Sequence, residues 1–254
     1  MYGENFMKKG VVEPHGGKIV DLLVDDERHG LLKEIALKLS DVTLNERQLC
    51  DLECLATGIF SPLKGFMDRS DYESVLDRMR LQDGTLWPMP VVLDLNRALC
   101  SSLEAGQSLA LRDPEGYLLA VMHVTDIWEA DREKEAFQVY GTTEKEHPGV
   151  EYLFKMTGDY YLGGELEVLN LPVHFDFKKY RMTPREIRRI SRKFGQERII
   201  AFQTTSPIHR PQYEITISAM RETGASLLLL PIAGITRPRS EEHTSELQSL
   251  LIIS

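Results

Sequence analysis

The feature that most constrains the fold is a pair of apolar segments separated by one helical pattern. The segments are "ERIIAFQ" (197–203) and "SLLLLPIAG" (226–234), and "PQYEITISAMRETG" (211–224) lies between them and ends at a glycine. Continuous apolar runs are typical of strands in a parallel sheet that is covered on both faces. We therefore predict two buried parallel strands joined by a helix, a unit of Rossmann-like type. Its functional turn is expected at the carboxyl end of the first strand.

That turn lies in "FQTTSPIHRPQYEIT" (202–216). In such a unit the strand ends beneath the next helix's N-terminus, where free backbone N–H groups and the positive end of the helix dipole favour phosphate. His209 falls in the first helical turn, and Gln212 follows one turn later on the same face. Gln203 and Thr204 are expected to point into the mouth above the sheet. The residues alone allow a phosphate site or a capped helix with a solvent-facing histidine.

The region before this unit changes from helical to alternating patterns. Residues 28–44 predict an amphipathic helix with an extended exit, residues 45–60 a helix with Asn45 as N-cap, and residues 68–81 a third helix. Period-two segments then predict strands, and Gly163-Gly164 predicts a hairpin within 158–172; the strand segments are 86–95, 107–113, 117–130 and 136–142. Short strands at this spacing suggest a barrel or curled sheet, and residues 1–172 are expected to form an α+β domain around a small β-barrel.

A domain boundary is predicted near 172–180, followed by a basic segment, "KKYRMTPREIRRISRKFGQER" (178–198). Thr183 as N-cap, Pro184 at the first position, Glu186 in a capping box and Gly195 at the end define a helix there. A solvated helix face is the favoured interpretation of the basic run, and an anion-binding patch is the alternative.

Composition excludes several classes of function. The formal net charge of −9 disfavours a nucleic-acid surface. No stretch reaches the roughly 18 apolar residues of a membrane helix, and no secretory signal pattern begins the chain. The three cysteines, Cys50, Cys54 and Cys100, lack metal-ligand spacing and are expected to be buried or half-buried thiols of a cytoplasmic protein. No protein-bound metal is predicted.

Several segments, in family order, resemble ATP sulfurylase (sulfate adenylyltransferase). They are "PHGG" (14–17), "RQLCDLECLATGIFSPLKGFM" (47–67), "DGTLWPMPVVLD" (83–94), "YGTTEKEHPGV" (140–150), "YYLGGELEVL" (160–169) and "GASLLLLPIAGITRP" (224–238). The resemblance implies a PUA-like β-barrel domain at 1–172, followed by a truncated α/β nucleotidyltransferase domain at 173–238. It also implies the conversion of ATP and sulfate to adenylyl sulfate and pyrophosphate, with Mg²⁺ accompanying the nucleotide. A homo-oligomer is expected at full length, either alone or fused to an adenylylsulfate kinase.

The family's turn follows the pattern Q-T-R-N-P-x-H-x-x-H, which Gln203, Thr204, Pro207 and His209 match. Three positions depart from it: Thr205 replaces the arginine, Ser206 the asparagine and Gln212 the second histidine. The resemblance implies ATP binding by Gln203, Thr205, Ser206, His209 and Gln212, sulfate binding by Gln203 and Thr205, and catalysis by Thr204, Thr205 and Ser206.

The missing arginine is the departure with the largest expected effect. Loss of its charge-assisted contact is expected to cost roughly 2–4 kcal/mol, about 30- to 1,000-fold in rate, unless another cation compensates. Arg210 is adjacent but need not face the same way. A nucleotide-binding or regulatory domain without sulfate chemistry is therefore an open alternative. RNA binding through the PUA-like domain is a third, which the acidic charge disfavours.

The end of the chain departs from the resemblance. "RSEEHTSELQS" (239–249) resembles an in-frame translation of a sequencing-library adapter, so 239–254 is expected to be an artefactual tail. A family segment that completes the pocket would then be missing. The chain by itself is expected to be inactive, and an uncovered sheet is expected to make it poorly soluble.

Overall fold

The structure, a computed structural model, describes residues 11–175, residues 177–232 and the backbone of residues 251–253. The chain divides into two compact units, His15–Pro172 and a second one that combines Met1–Pro14 with Val173–Ser254. Each is described by itself below. The predicted tail lies outside the described residues, except for the backbone of residues 251–253.

The larger unit, His15–Pro172, contains six helices among its residues. They are α1 (Asp26–Ala36), α2 (Glu46–Thr57), α3 (Arg69–Arg78), α4 (Arg97–Cys100), α5 (Arg132–Tyr140) and α6 (Pro148–Lys155). The predicted N-cap of α2 is confirmed, because the Asn45 side chain accepts from the Gln48 N–H and the Gln48 side chain accepts from the Asn45 N–H, both at 3.0 Å. This reciprocal pair satisfies two N–H groups at the start of the helix.

The strands of this unit form one mixed sheet. They are β1 (Ser40–Thr43), β2 (Gly65–Phe66), β3 (Leu93–Leu95), β4 (Ser108–Arg112), β5 (Leu118–Glu129) and β6 (Tyr160–Val168). The order is β1-β4-β5-β6-β2, and β3 also pairs with β6. Only β1 and β4 run parallel. Within the described strand pairs nothing joins β1 to β2 or β3, so the sheet is open and does not form the closed β-barrel that the sequence predicted.

The core lies on both faces of this sheet, as the alternation of β4 shows. Leu109 and Leu111 belong to the main hydrophobic cluster with α2 and α3, whereas Ala110 belongs to a smaller cluster under α1. Successive strand residues point to opposite faces, so three consecutive buried residues serve two layers.

The predicted hairpin at Gly163-Gly164 is wrong, because both glycines lie inside the continuous strand β6. A Cβ atom on Gly163 would come within 2.3 Å of the Met67 carbonyl oxygen. One on Gly164 would come within 2.1 Å of the His123 carbonyl oxygen. The glycine pair therefore permits close approach of neighbouring backbones instead of a turn.

The predicted strand at 136–142 is also wrong, because these residues belong mostly to helix α5. Asp131 caps the helix by accepting from the Lys134 N–H at 3.0 Å, and Gly141 ends it with a left-handed φ of 72°. Ala136 is fully buried and packs with Val150 of α6. The alternation of residues 136–140 was misleading, since only the side of the helix that faces α6 is buried.

An ion-pair cluster joins α1 to the sheet. The Arg28 guanidinium donates two hydrogen bonds to Glu167, at 2.6 and 2.7 Å, and His123 Nε2 lies 2.7 Å from the same carboxylate. These contacts, Arg28 first, lower the pKa of Glu167 to about 2. The ionised form of the Glu167 carboxyl group is therefore more stable in the folded protein than in the unfolded chain.

We expect Glu167 to stabilise the fold in a pH-dependent way. A carboxyl group whose pKa is lowered by folding contributes stability above its unfolded pKa, and this contribution is lost as pH falls from about 4.5 towards about 2. Urea unfolding across that range should show a steeper loss of stability for the natural chain than for Glu167→Gln. Glu165→Gln, on the same strand but exposed, is the control and should behave like the natural chain. Equal pH profiles for all three proteins would contradict the assignment.

The smaller unit contains the predicted strand–helix–strand element. Its elements are a 3-10 turn (Lys178–Tyr180), α7 (Pro184–Lys193), β7 (Ile199–Thr204), α8 (Arg210–Thr223), β8 (Ser226–Pro231) and β9 (Leu251–Ile253). Strands β7 and β8 are parallel, from Ile199 opposite Ser226 to Thr204 opposite Pro231, as predicted. The backbone of β9 pairs antiparallel with β8. The predicted burial of both strands is wrong for the described residues, because Ala201 and Gln203 are exposed and most of β8 is half-buried.

Helix α7 begins as predicted. Thr183 accepts from the Glu186 N–H at 3.3 Å, and the Glu186 carboxylate accepts from the Thr183 N–H at 2.8 Å. Arg185, Arg189 and Lys193 are exposed, which agrees with a solvated face.

The predicted burial of the cysteines holds for two of three. Cys100 is buried and Cys54 half-buried, but Cys50 is exposed, because it lies off the face of α2 that carries Leu52 and Leu55. In the described part of the chain, no helix is long and apolar enough to cross a membrane.

Candidate functional site

The candidate site is the connection from β7 to α8. Strand β7 ends at Thr204, and α8 begins at Arg210 after an extended N-cap residue, His209 (φ −89°, ψ 162°). Pro211 has no N–H, so the first helical turn offers the backbone N–H of Arg210 without a helical partner, while the Gln212 N–H is directed at the His209 side chain in a capping box. The parallel pairing of β7 with β8 places this turn at the carboxyl edge of the two strands.

Thr204 shapes the turn from within. Its side chain is buried, and its hydroxyl donates to the Ser206 carbonyl at 2.8 Å and accepts from the Ser206 N–H at 3.2 Å. Gln203, the preceding residue, is exposed. Adjacent strand residues point to opposite faces, so Gln203 and Thr204 do not share the mouth that the sequence predicted for both.

His209 and Gln212 form the start of the helix together. The Gln212 side-chain oxygen accepts from the His209 N–H at 3.0 Å, which directs the Gln212 side chain back towards the turn. Among the described residues its NH₂ group has no hydrogen-bond acceptor, so both donors face outward from the pair. His209 is exposed and Gln212 is half-buried, so the structure brings these two predicted residues together.

Thr205, Ser206 and Arg210 are also exposed. The Arg210 guanidinium lies 3.8 Å from the Glu214 carboxylate one helical turn later and is 90% exposed. The nearest carboxylate to the Arg210 guanidinium is thus one helical turn further along α8 and not in the turn. The turn presents neutral hydrogen-bond donors and a helix N-terminus, and both suit an anion. Thr205 and Ser206 add no positive charge to it.

Sequence reasoning missed a second group of polar residues, in the larger unit. Arg47 and Asp51 of α2 form an ion pair, Arg47 also pairs with Asp94 of β3, and Glu135 of α5 lies in the same cavity lining. The available signal was the i, i+4 spacing of Arg47 and Asp51 within a largely apolar helix. Among the described residues, no group of three or more His, Cys, Asp and Glu side chains is arranged to hold a metal ion.

Comparison with known proteins assigns both parts of the chain. A family model described as PUA-like domain matches residues 12–171, more than half of the 254 residues, and the chain therefore belongs to that family. The family model described as ATP-sulfurylase matches residues 178–252, which include the β7–α8 turn.

Curated relatives carry the name sulfate adenylyltransferase. Those of Chaetomium globosum and Mycosarcoma maydis are 44% and 40% identical over 234 residues, which is 91% of this chain and 41% of each relative. That of Kluyveromyces lactis is 39% identical and is covered to 46%. The chain thus spans less than half the length of these relatives.

A solved structure, that of a hexameric APS kinase from Thiobacillus denitrificans, is also similar. It is 37% identical with a TM-score of 0.72, and the match covers 87% of this chain and 39% of that one.

Proposed function

We propose that the protein is a sulfate adenylyltransferase of sulfate assimilation, which converts ATP and sulfate to adenylyl sulfate and pyrophosphate. The observation that carries the proposal is the turn between β7 and the N-terminus of α8. It presents the matching residues Gln203 and His209 within the segment similar to ATP-sulfurylase. Under this proposal residues 1–172 are the PUA-like domain and residues 173–238 begin a Rossmann-like nucleotidyltransferase domain.

The reaction requires positioning and charge stabilisation. One sulfate oxygen attacks the α-phosphorus of Mg²⁺-bound ATP in line, the bond to the bridging oxygen breaks, and pyrophosphate leaves with that oxygen. The Arg210 N–H, the Gln212 side-chain NH₂ group and the His209 imidazole donate to the polyphosphate, and Gln203 contacts sulfate. Thr205 and Ser206 supply neutral hydroxyl donors, and Thr204 holds the turn.

The test is pyrophosphate release by the complete reading frame that contains this chain, supplied with ATP, Mg²⁺ and sulfate. We expect sulfate-dependent release that His209→Ala lowers about 10- to 100-fold, since one donor to a developing charge is lost. The 254-residue chain alone is expected to release none. His174→Ala is the matched control, because His174 lies outside the turn. Absence of sulfate-dependent release from the complete protein would overturn the proposal.

A second candidate function is nucleotide binding without sulfate chemistry. It is supported by the neutral Thr205 and Ser206 and by the direction of Arg210 towards Glu214. Under this alternative the complete protein binds ATP but releases no pyrophosphate with sulfate.

The cellular setting is part of the proposal. The three cysteines are free, which suits the reducing cytoplasm. We also propose a homo-oligomer at full length, supported by the similarity to a protein that is itself hexameric.

A further inference from the structure

The larger unit encloses a cavity that the proposed function does not use. Its volume is about 610 Å³, within the range of small-molecule sites. Apolar and aromatic side chains form much of its wall, among them Phe60, Trp87, Met89, Tyr140 and Tyr152. A mostly apolar wall with a few convergent polar groups is the usual composition of a ligand site.

The polar part of the lining is mainly anionic. Its charged members are Arg47, Asp51, Asp94 and Glu135, and His15 also lies there. His15 Nε2 lies 2.8 Å from the Leu86 carbonyl oxygen and is held by it. Three carboxyl groups therefore face one guanidinium, so the acidic groups of the cavity outnumber the basic one.

Asp94 is fully engaged by the fold. One carboxylate oxygen accepts from Arg47 and from the Gln48 amide at 3.0 Å, and the other accepts from the Gly158 N–H at 2.7 Å. Arg47 divides its two terminal nitrogens between Asp94 and Asp51. The two terminal nitrogens are thus committed to these two carboxylates, whereas Arg47 Nε is buried and has no hydrogen-bond partner among the described residues.

Glu135 is engaged on one side only. Its Oε2 accepts from the Tyr72 and Tyr161 hydroxyls at 2.9 and 2.8 Å. In the part of the chain that the structure describes, Glu135 Oε1 accepts no hydrogen bond. Asp51 Oδ1 also accepts none from the described residues. Burial raises the pKa of both carboxyl groups. An ionised carboxylate there is short of compensating positive charge.

The aromatic walls of the cavity also favour a cationic ligand with an apolar part. The Trp87 ring contacts two other rings, with centroid distances of 6.2 Å to His15 and 5.9 Å to Phe60. These contacts hold it in a defined orientation. Faces of tryptophan and tyrosine attract cations as well as apolar groups, and most strongly where water is excluded.

We propose that this cavity binds a small organic cation, an ammonium or guanidinium group attached to an apolar or aromatic body, with Glu135 and Asp51 as its counter-ions. The cationic group lies against the free carboxylate oxygens, and the body packs against Trp87 and Phe60. This inference is independent of the proposed adenylyl transfer, because it concerns residues of the PUA-like domain alone.

The test uses three probes of nearly one shape and different charge: tryptamine, uncharged 3-ethylindole and anionic indole-3-propionate. Isothermal titration of the 254-residue chain near neutral pH should show tryptamine binding about tenfold or more tightly than 3-ethylindole. Indole-3-propionate should bind most weakly. Equal affinities, a preference for the anion, or binding by none of the probes at millimolar concentration would overturn the proposal.

Variants locate the binding. Glu135→Gln keeps an oxygen for the two tyrosine hydroxyls and should weaken tryptamine about tenfold without changing 3-ethylindole. Glu129→Gln, an exposed glutamate paired with Arg97, is the matched control and should change neither. Asp51→Asn provides the same test if Glu135→Gln fails to fold. Loss of tryptamine affinity in Glu129→Gln to the same degree, or in none of the variants, would contradict a site at this cavity.

Discussion

Asp94→Ala is expected to lower the free energy of unfolding of the chain by about 3 kcal/mol, since removal of one partner leaves buried polar groups uncompensated. Asp94 is 5% exposed and joins three parts of the larger unit. It accepts from Arg47 and Gln48 of α2 and from the Gly158 N–H before β6. Loss of this carboxylate leaves the Gly158 N–H without its acceptor, and it removes one acceptor each from Arg47, which keeps Asp51, and from the Gln48 amide, which keeps the Asp94 carbonyl oxygen.

Urea unfolding followed by circular dichroism measures the effect, with Asp41→Ala as the control. Asp41 also pairs with an arginine, Arg112, but its side chain is 55% exposed. Exposed ion pairs contribute within about 1 kcal/mol, so the control should lose far less stability. Equal losses of unfolding free energy in the two variants would show that the Asp94 carboxylate stabilises the fold no more than an exposed one.

Thr205→Arg is expected to raise the affinity of the chain for inorganic tripolyphosphate about 10- to 150-fold, the equivalent of about 1.5–3 kcal/mol for a hydrogen bond to a charged group. Position 205 is exposed, so the longer side chain has room, and it directly follows the strand end. A guanidinium there restores the charge that the family pattern provides.

The control for added charge is Ser218→Arg, on the exposed part of α8 beyond the turn. It makes the same change in net charge and should raise affinity less than about threefold, since a distant exposed charge is screened. In the complete reading frame, Thr205→Arg with Ser206→Asn and Gln212→His should raise sulfate-dependent pyrophosphate release. If the rate of sulfate-dependent release is unchanged, the natural residues suffice for the reaction. The alternative of a nucleotide-binding protein without sulfate chemistry would then lose its support.

Local signals predicted the helix starts well. Asn45 and Thr183 cap their helices because capping depends on residues only three positions apart. The parallel pairing of β7 and β8 followed from two apolar runs around one helix. The Gly163-Gly164 error has a tertiary cause, since the need for glycine arises from the carbonyl groups of Met67 and His123, which are distant in the sequence.

The residues of the cavity could not be predicted for the same reason. Arg47, Asp94 and Glu135 come from α2, β3 and α5, and nothing in their sequence spacing brings them together. At the turn, the sequence predicted that His209 and Gln212 lie together. It did not predict that the Thr204 hydroxyl bonds within the loop, because that depends on the local backbone path.

Binding of a nucleotide's polyphosphate at the β7–α8 turn can be observed residue by residue in a nuclear magnetic resonance titration of the 254-residue chain with Mg²⁺-ATP. We predict saturable shifts of the Arg210 and Gln212 amides and of the His209 ring. AMP, which lacks the polyphosphate, should produce much smaller shifts at equal concentration. Shifts confined to the His15–Pro172 unit, or equal shifts with both nucleotides, would contradict it.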